Sequence, residues 1–221
     1  MKTLSAVCTT AVLALLAGCF EEPVPAFETA DPATRIYLSD GKLARLTKEA
    51  VYADGAVYIE GAGKTNLSAV AAKLDFLAVV YLNLDRNALT NVDELADFRG
   101  LKWLRLNGNA LDSLPDLSVL ANLKRIYLAD NRFSSVPETL KRLPSLLDVD
   151  LSGNPIESLP EWFTTIKGLE SVSLSRTKLT RLPDDLSSWR SLNSLELGET
   201  GIGEDEMKRI RAALPTTRVV F

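Results

Sequence analysis

The chain of 221 residues contains no histidine. Histidine is the commonest general base and the commonest metal ligand in proteins, so its absence excludes imidazole catalysis and imidazole metal sites. Cysteine is nearly absent too, because the two present, Cys8 and Cys19, both fall within the first twenty residues. The rest of the chain therefore has neither a thiol nucleophile nor a disulfide.

Long apolar runs and an excess of basic residues are also missing. The run 77–84 is interrupted by Asn83 and followed by Asp85, whereas a membrane span needs about 20 apolar residues. The net charge is −4, which argues against a nucleic-acid partner, since such proteins carry basic surfaces. We find no motif for a cofactor or a metal. The sequence predicts neither of these and no nucleic-acid partner.

What the sequence does contain is a motif that recurs every 22 or 23 residues. The pattern is Leu-x-x-Leu-x-Leu-x-x-Asn-x-Leu, in which x is any residue. Other apolar residues can replace each Leu, and Thr can replace the Asn. A fixed period of this size is typical of stacked repeats. The copies begin at Val79, Leu101, Leu123, Leu146, Leu169 and Leu192, and place Asn87, Asn109, Asn131, Asn154, Thr177 and Thr200 at one position.

This motif resembles that of the leucine-rich-repeat family over residues 79–203. The resemblance implies an α/β solenoid: a right-handed stack with a concave parallel β-sheet and turns or short helices on the convex side. The residues agree, because apolar and polar residues alternate with period two before each Asn, as in a half-buried strand. Parallel strands need long crossovers, which the rest of each repeat supplies. In the crossovers, apolar pairs such as Leu140 and Leu143 are predicted to close the core.

The repeated Asn is best explained structurally. Its amide can donate twice and accept, so it can satisfy backbone groups where the chain bends at the end of a strand. Thr177 and Thr200 offer a single donor, so we expect a weaker ladder toward the C-terminus.

The ends of the repeat region are predicted to form caps. Upstream, 34–78 would be an N-terminal cap with degenerate repeats, and a weak copy aligns Glu60 with Leu82 of the first clear repeat. Downstream, 204–221 would be a C-terminal cap with an amphipathic helix from Glu204 to Leu214, stopped by Pro215, and a closing strand from Thr217 to Phe221.

The first 18 residues look like a signal peptide, with Lys2 at the start and a short apolar run. The segment ends in Leu16-Ala17-Gly18-Cys19, which resembles the lipobox of bacterial lipoproteins. That resemblance implies cleavage before Cys19 and lipidation there, which would give stable membrane anchoring. An ordinary secretory signal with an incidental cysteine is the alternative.

Residues 19–33 would be the lipidated cysteine and a flexible tether rich in proline and acidic residues. The twelve residues 21–32 of this tether reach at most about 40 Å, so the repeats should stand close to the membrane. Phe20 follows the cysteine where an Asp would indicate inner-membrane retention. We therefore expect a location in the bacterial envelope at the outer membrane, facing either the periplasm or the cell surface.

If the leucines point inward, the alternate strand positions must point outward. One outward column is predicted to contain Ile59, Tyr81, Trp103, Arg125 and Asp148, and a second Gly61, Asn83, Arg105, Tyr127 and Asp150. The early half is aromatic and basic, and exposed Trp, Tyr and Arg dominate interface hot spots. The candidate partner-binding residues are Tyr81, Trp103, Arg105, Arg125, Tyr127, Asp148 and Asp150.

The main functional prediction is a non-enzymatic, membrane-anchored protein-recognition module of the bacterial cell envelope. An alternative is glycan or peptidoglycan binding, with Tyr81, Trp103 and Tyr127 as stacking platforms. Another is an accessory lipoprotein of a secretion or envelope-assembly system. An enzyme using Asp148 and Asp150 as paired acids is a further alternative. For the surface itself, the alternative to a hot spot is a self-satisfied face, meaning one whose charged groups pair with each other. In that case Arg125 would pair with Asp148 or Asp150.

Overall fold

The computed structural model describes residues 56–58, 67–68 and 79–221. In these residues, eight strands form one parallel sheet in chain order, so the predicted α/β leucine-rich-repeat solenoid is confirmed. Each strand has three residues. The strands are β1 Ala56–Tyr58, β2 Tyr81–Asn83, β3 Trp103–Arg105, β4 Arg125–Tyr127, β5 Asp148–Asp150, β6 Ser171–Ser173, β7 Ser194–Glu196 and β8 Arg218–Val220.

The central residues of β2 to β7 point into a single continuous core. Leu82, Leu104 and Ile126 have no exposed surface, and the same holds for the corresponding residues of β5, β6 and β7. The residues that flank them project from the other side of the sheet, which we call the concave face. Inward leucines thus determine which side chains the concave face presents.

The crossovers pack their apolar residues against the sheet, as predicted. Leu140 is fully buried and Leu143 nearly so. Pro137 and Pro160 immediately precede two of the short helices, where proline can start a helical turn. The crossover from β3 to β4 contains turns and no helix, yet its Leu117 and Leu120 are fully buried. The 3-10 helices of the described residues are Asp93–Asp97, Glu138–Arg142, Glu161–Thr165 and Ser187–Ser191.

The repeated asparagines form a hydrogen-bonded ladder that joins neighbouring repeats. Asn131 Nδ2 donates to the carbonyl oxygen of Leu128 in its own repeat at 3.0 Å and to that of Leu106 in the preceding repeat at 2.9 Å. Its Oδ1 accepts the N–H of Leu111 at 3.1 Å. Asn109 and Asn154 repeat this pattern. One buried side chain therefore satisfies backbone groups of two repeats, as expected.

The two threonines make fewer bonds. Thr177 Oγ1 donates to Leu174 O at 2.7 Å, and Thr200 Oγ1 donates to Leu197 O at 2.8 Å. Both acceptors lie in the threonine's own repeat. Within 79–221, neither threonine side chain bonds to the preceding repeat, so the ladder loses its inter-repeat bonds at this end.

The predicted alignment of the weak upstream copy is wrong. In the structure Val57 pairs with Leu82 and Ala56 with Tyr81, whereas the prediction placed Glu60 opposite Leu82; Ile59, Glu60 and Gly61 lie outside the described residues. The register differs by three residues because this copy lacks the Asn and the leucines that fix a repeat, and alternative alignments are similarly apolar. The predicted signal peptide 1–18, Cys19, the tether 19–33 and most of the cap 34–78 lie outside the described residues.

The C-terminal cap consists of helix α1, Glu204–Ala213, followed by β8, as predicted. Ile210 and Leu214 pack into the core. Glu206 and Arg209 tie the helix to the last crossover. Arg209 donates to Glu206 Oε1 at 2.7 Å and to the Leu182 carbonyl at 3.0 Å, while Glu206 Oε1 accepts the Leu182 N–H at 2.9 Å. No helix in the described residues is long and apolar enough to cross a membrane.

Replacing Asn131 with Leu should lower the free energy of unfolding by about 1–3 kcal/mol, because buried backbone groups of two repeats lose their partners. Urea denaturation of the full chain would measure this. Asn193→Leu is the control, since Asn193 is exposed and should change stability by less than about 0.5 kcal/mol. Equal denaturation midpoints for Asn131→Leu and the unmodified chain would contradict a structural ladder.

The link between Glu206 and Arg209 should make the cap sensitive to acid. The hydrogen bond from Arg209 holds the pKa of Glu206 below its ordinary value of 4.5, so the folded state favours the charged carboxylate. The stabilisation is complete above the unfolded-state pKa and is lost as pH falls through the lower folded-state pKa. Glu206→Gln should therefore reduce the free energy of unfolding at pH 7, and the difference should shrink on acidification below about pH 4.5. Glu204→Gln, at an exposed position of the same helix, should show no comparable pH-dependent difference.

Candidate functional site

The concave face carries the two columns that the alternation predicts from β2 onward. The first column pairs Tyr81 with Trp103, Trp103 with Arg125 and Arg125 with Asp148. The second pairs Asn83 with Arg105, Arg105 with Tyr127 and Tyr127 with Asp150. Adjacent strands lie about 4.8 Å apart. All seven candidate partner-binding residues therefore lie on one connected surface of β2 to β5.

The expectation that the early aromatic residues are exposed is wrong. Tyr81 is only 2% exposed and Trp103 only 6%. Arg105, Arg125, Tyr127, Asp148 and Asp150 are half-buried. Strand alternation identifies the face to which a side chain belongs, but burial depends on what lies beside it. The accessible part of the candidate surface therefore lies from Arg105 onward.

A stack of three side chains runs along the first column. The ring centroids of Tyr81 and Trp103 are 5.7 Å apart at an angle of 60°. The guanidinium carbon of Arg125 lies 4.3 Å from the centroid of the Trp103 ring, a distance at which a cation is attracted to the ring face. The buried pair of Tyr81 and Trp103 therefore supports Arg125 from the preceding strands.

Arg105 is held in a different way. Its Nε and Nη2 both lie 2.8 Å from Asp85 Oδ2, and its guanidinium carbon lies 5.5 Å from the centroid of the Tyr127 ring. Asp85 also accepts the Asn107 N–H at 2.8 Å through Oδ1. In the sequence, Asp85 and Asn107 resemble ordinary surface residues at the end of a strand. In the structure, however, the side chain of Asp85 is buried, with 3% exposure.

Asp85 and Asn107 form a second, short ladder beside the asparagine ladder. Asn107 Oδ1 accepts the Ala129 N–H of the next repeat at 2.8 Å, just as Asp85 accepts the Asn107 N–H. The ladder stops at Ala129, because an alanine side chain cannot accept. A recurring polar residue two positions before the Asn was the sequence signal for this ladder, and it was obscured by the Ala.

Tyr127 and Asp148 are coupled across β4 and β5. The Tyr127 hydroxyl donates to Asp148 Oδ2 at 2.9 Å. Burial raises the pKa of both groups, while the hydrogen bond and the charge of Arg125 oppose the rise for Asp148. Asp150 accepts from the Ser152 N–H at 2.9 Å and from the Ser152 hydroxyl at 2.6 Å. Both acids thus have local structural partners.

The alternative of a self-satisfied face is therefore correct for much of the surface but wrong about the partners. Within 79–221, Arg125 makes no ion pair with Asp148 or Asp150; it lies on Trp103 instead. The acid it faces in register is engaged by Tyr127. No group of three or more acidic, cysteine or histidine side chains in the described residues is arranged to hold a metal ion.

A row of strained residues borders the concave face immediately before each ladder residue. Arg86, Asp130, Arg176 and Glu199 have φ between 54° and 57°, and Gly108 and Gly153 occupy the same row. Asp130 reaches across Gly153 to form an ion pair with Arg176 at 2.9 Å. A Cβ on Gly153 would overlap Asp130 Oδ1, so this glycine leaves room for the ion pair.

Comparison with known proteins agrees with this geometry. Residues 100–156 match the family model described as leucine rich repeat, and no curated protein matches the chain. A leucine-rich-repeat protein of Leptospira interrogans is similar in structure, with 30% identity, a TM-score of 0.61 and coverage of 65% of this chain and 37% of that one. An internalin of Listeria monocytogenes is similar with 16% identity, a TM-score of 0.65 and coverage of 84% of this chain and 51% of that one.

These findings support a leucine-rich-repeat family for the chain, and the internalin likeness shows the fold alone. The chain spans little more than a third of the first structure and about half of the second. Proteins with this fold commonly bind protein partners and are typically non-enzymatic, so the fold suggests a protein–protein interaction module.

Replacing Trp103 with Ala should lower the free energy of unfolding by about 3–5 kcal/mol, because a nearly fully buried ring leaves a cavity. Urea denaturation would measure this. Trp162→Ala is the control, since Trp162 is half-buried on a crossover helix and should cost less. An unchanged midpoint for Trp103→Ala would mean that the ring is exposed in solution.

Proposed function

We propose that the chain is a protein-recognition module of the bacterial cell envelope that binds its partner through the concave face. The accessible part of the surface contains Arg105, Arg125, Tyr127, Asp148 and Asp150, all half-buried. The supporting observation is that these side chains are already held in place: by Asp85, by Trp103 and by each other. Ordered side chains lose little conformational entropy on binding, which favours affinity.

Lipid anchoring at Cys19 is the second part of the proposal. The supporting observation is the sequence Leu16-Ala17-Gly18-Cys19 after a short apolar run. A lipid anchor followed by the tether 19–33 would keep the concave face near the membrane surface. We place the protein at the outer membrane because Phe20 rather than Asp follows the cysteine. An accessory role in secretion or envelope assembly is compatible with this location.

Glycan binding is less favoured by the geometry. Sugar stacking needs an accessible ring face, but Tyr81 and Trp103 are almost completely buried. Arg125 also lies over the Trp103 ring. Of the three proposed platforms, Tyr127 alone is half-buried, and Arg105 lies near its ring. A protein partner can use the polar groups that remain accessible.

Crosslinking in intact cells tests the proposal. A photo-reactive residue at Ser173, beside Asp150 on the concave face, should yield a discrete protein adduct in the membrane fraction, identifiable by mass spectrometry. Val119 lies on a crossover and is 43% exposed, so the same residue there is the control and should yield none. In a Cys19→Ala chain the adduct should leave the membrane fraction. Adducts from position 119 but not 173 would move recognition to the convex side.

A further inference from the structure

Arg125 and Arg211 both place the guanidinium over an aromatic ring, and of the two only Arg125 lies half-buried on the concave face. It lies on β4, half-buried, 4.3 Å from the Trp103 ring centroid. Tyr81 packs against the other side of this arrangement, with its ring 5.7 Å from Trp103. The guanidinium is therefore held by a rigid aromatic base, which fixes the direction of its N–H groups.

No side-chain hydrogen bond or ion pair in 79–221 uses the Arg125 donors. The contrast with other arginines is clear: Arg105 binds Asp85, Arg176 binds Asp130 and Arg209 binds Glu206. The carboxylate nearest in register, Asp148, instead accepts the Tyr127 hydroxyl. A guanidinium has five N–H donors in one plane, and stacking leaves the edges of that plane available.

We propose, resting on the proposed recognition function, that Arg125 binds a carboxylate of the partner protein, an Asp or Glu side chain, through the free edge of its guanidinium. The planar fork matches the two oxygens of a carboxylate. The ligand should carry a single negative charge, because Asp148 and Asp150 stand on the neighbouring strand and would repel a doubly charged phosphate. Arg105 cannot serve the same role, since Asp85 already occupies it.

Asp148 then determines the strength of this site. It faces Arg125 across the sheet, and its charge competes with the incoming carboxylate. Removing that charge should strengthen carboxylate binding, whereas removing the fork of Arg125 should weaken it. An acidic surface that recruits basic partners would respond to Asp148→Asn in the opposite sense.

The test uses the purified full chain at about 0.15 M salt, where the Debye length is about 8 Å. The probe is a capped glycine peptide with one central glutamate, and the same peptide with a central glutamine is its neutral counterpart. Binding is followed by NMR through the indole N–H of Trp103, whose ring centroid lies 4.3 Å from the Arg125 guanidinium carbon. In the Asp148→Asn variant, the side-chain amide oxygen can still accept a hydrogen bond from the Tyr127 hydroxyl. The variant therefore removes the charge without removing this contact. Arg125→Lys keeps the charge but loses the planar fork, and Arg190→Lys is the matched control at an exposed convex position.

The glutamate peptide should shift the indole signal saturably and the glutamine peptide should not. Arg125→Lys should weaken binding by about tenfold or more, as loss of charge-assisted hydrogen bonds does, Asp148→Asn should strengthen it, and Arg190→Lys should leave it unchanged. Equal binding by Arg125→Lys, weaker binding by Asp148→Asn, or equal shifts from both peptides would overturn the proposal. If concave crosslinks still form in cells in any of those cases, the recognition function stands and only the carboxylate assignment fails.

Discussion

The bend that follows each strand is the constraint on which this molecule depends. There the chain leaves the sheet, and its backbone groups would be buried without partners unless something replaces the ladder. Asn109, Asn131 and Asn154 do so for two repeats at once, binding carbonyls of their own and the preceding coil. The residue just before each of them adopts a left-handed conformation, even where it is a charged residue rather than glycine. The ladder thus offsets a backbone strain of about 1–3 kcal/mol per non-glycine residue.

Because the bend has the same position in every repeat, it sets the register of the strand that precedes it. Because each coil stops at the same point, the three-residue strands align residue for residue from β2 to β8. Outward side chains then fall into straight columns about one strand spacing apart. That spacing lets Arg125 lie on Trp103 and Tyr127 reach Asp148. The chemistry of the concave face is therefore a consequence of the asparagine ladder, although no ladder residue contributes to that face.

The sequence predicts the fold well where the repeat is strong and poorly where it is weak. The leucines, the asparagines and the cap helix lie where their spacing indicates. Val57, however, pairs three residues away from the predicted register, because without Asn and leucines nothing in the pattern favours one alignment. The site shows a different limit. Periodicity assigns Tyr81 and Trp103 to the outward side, but it cannot reveal that they are buried, since burial depends on three-dimensional neighbours. Choice of partner, such as Asp85 for Arg105, is likewise a matter of distance between side chains.

Those choices explain why the two arginines of the concave face, Arg105 and Arg125, are held in different ways. An arginine next to an acid normally pairs with it, and Arg105 does so with the buried Asp85, which also accepts the Asn107 N–H. Arg125 has an acid, Asp148, directly opposite it in register, yet Tyr127 donates to that acid from the same strand as Arg125. Trp103 offers the guanidinium a flat, desolvated support. One tyrosine hydroxyl therefore engages Asp148 locally, and no side-chain hydrogen bond or ion pair within 79–221 uses the donors of Arg125.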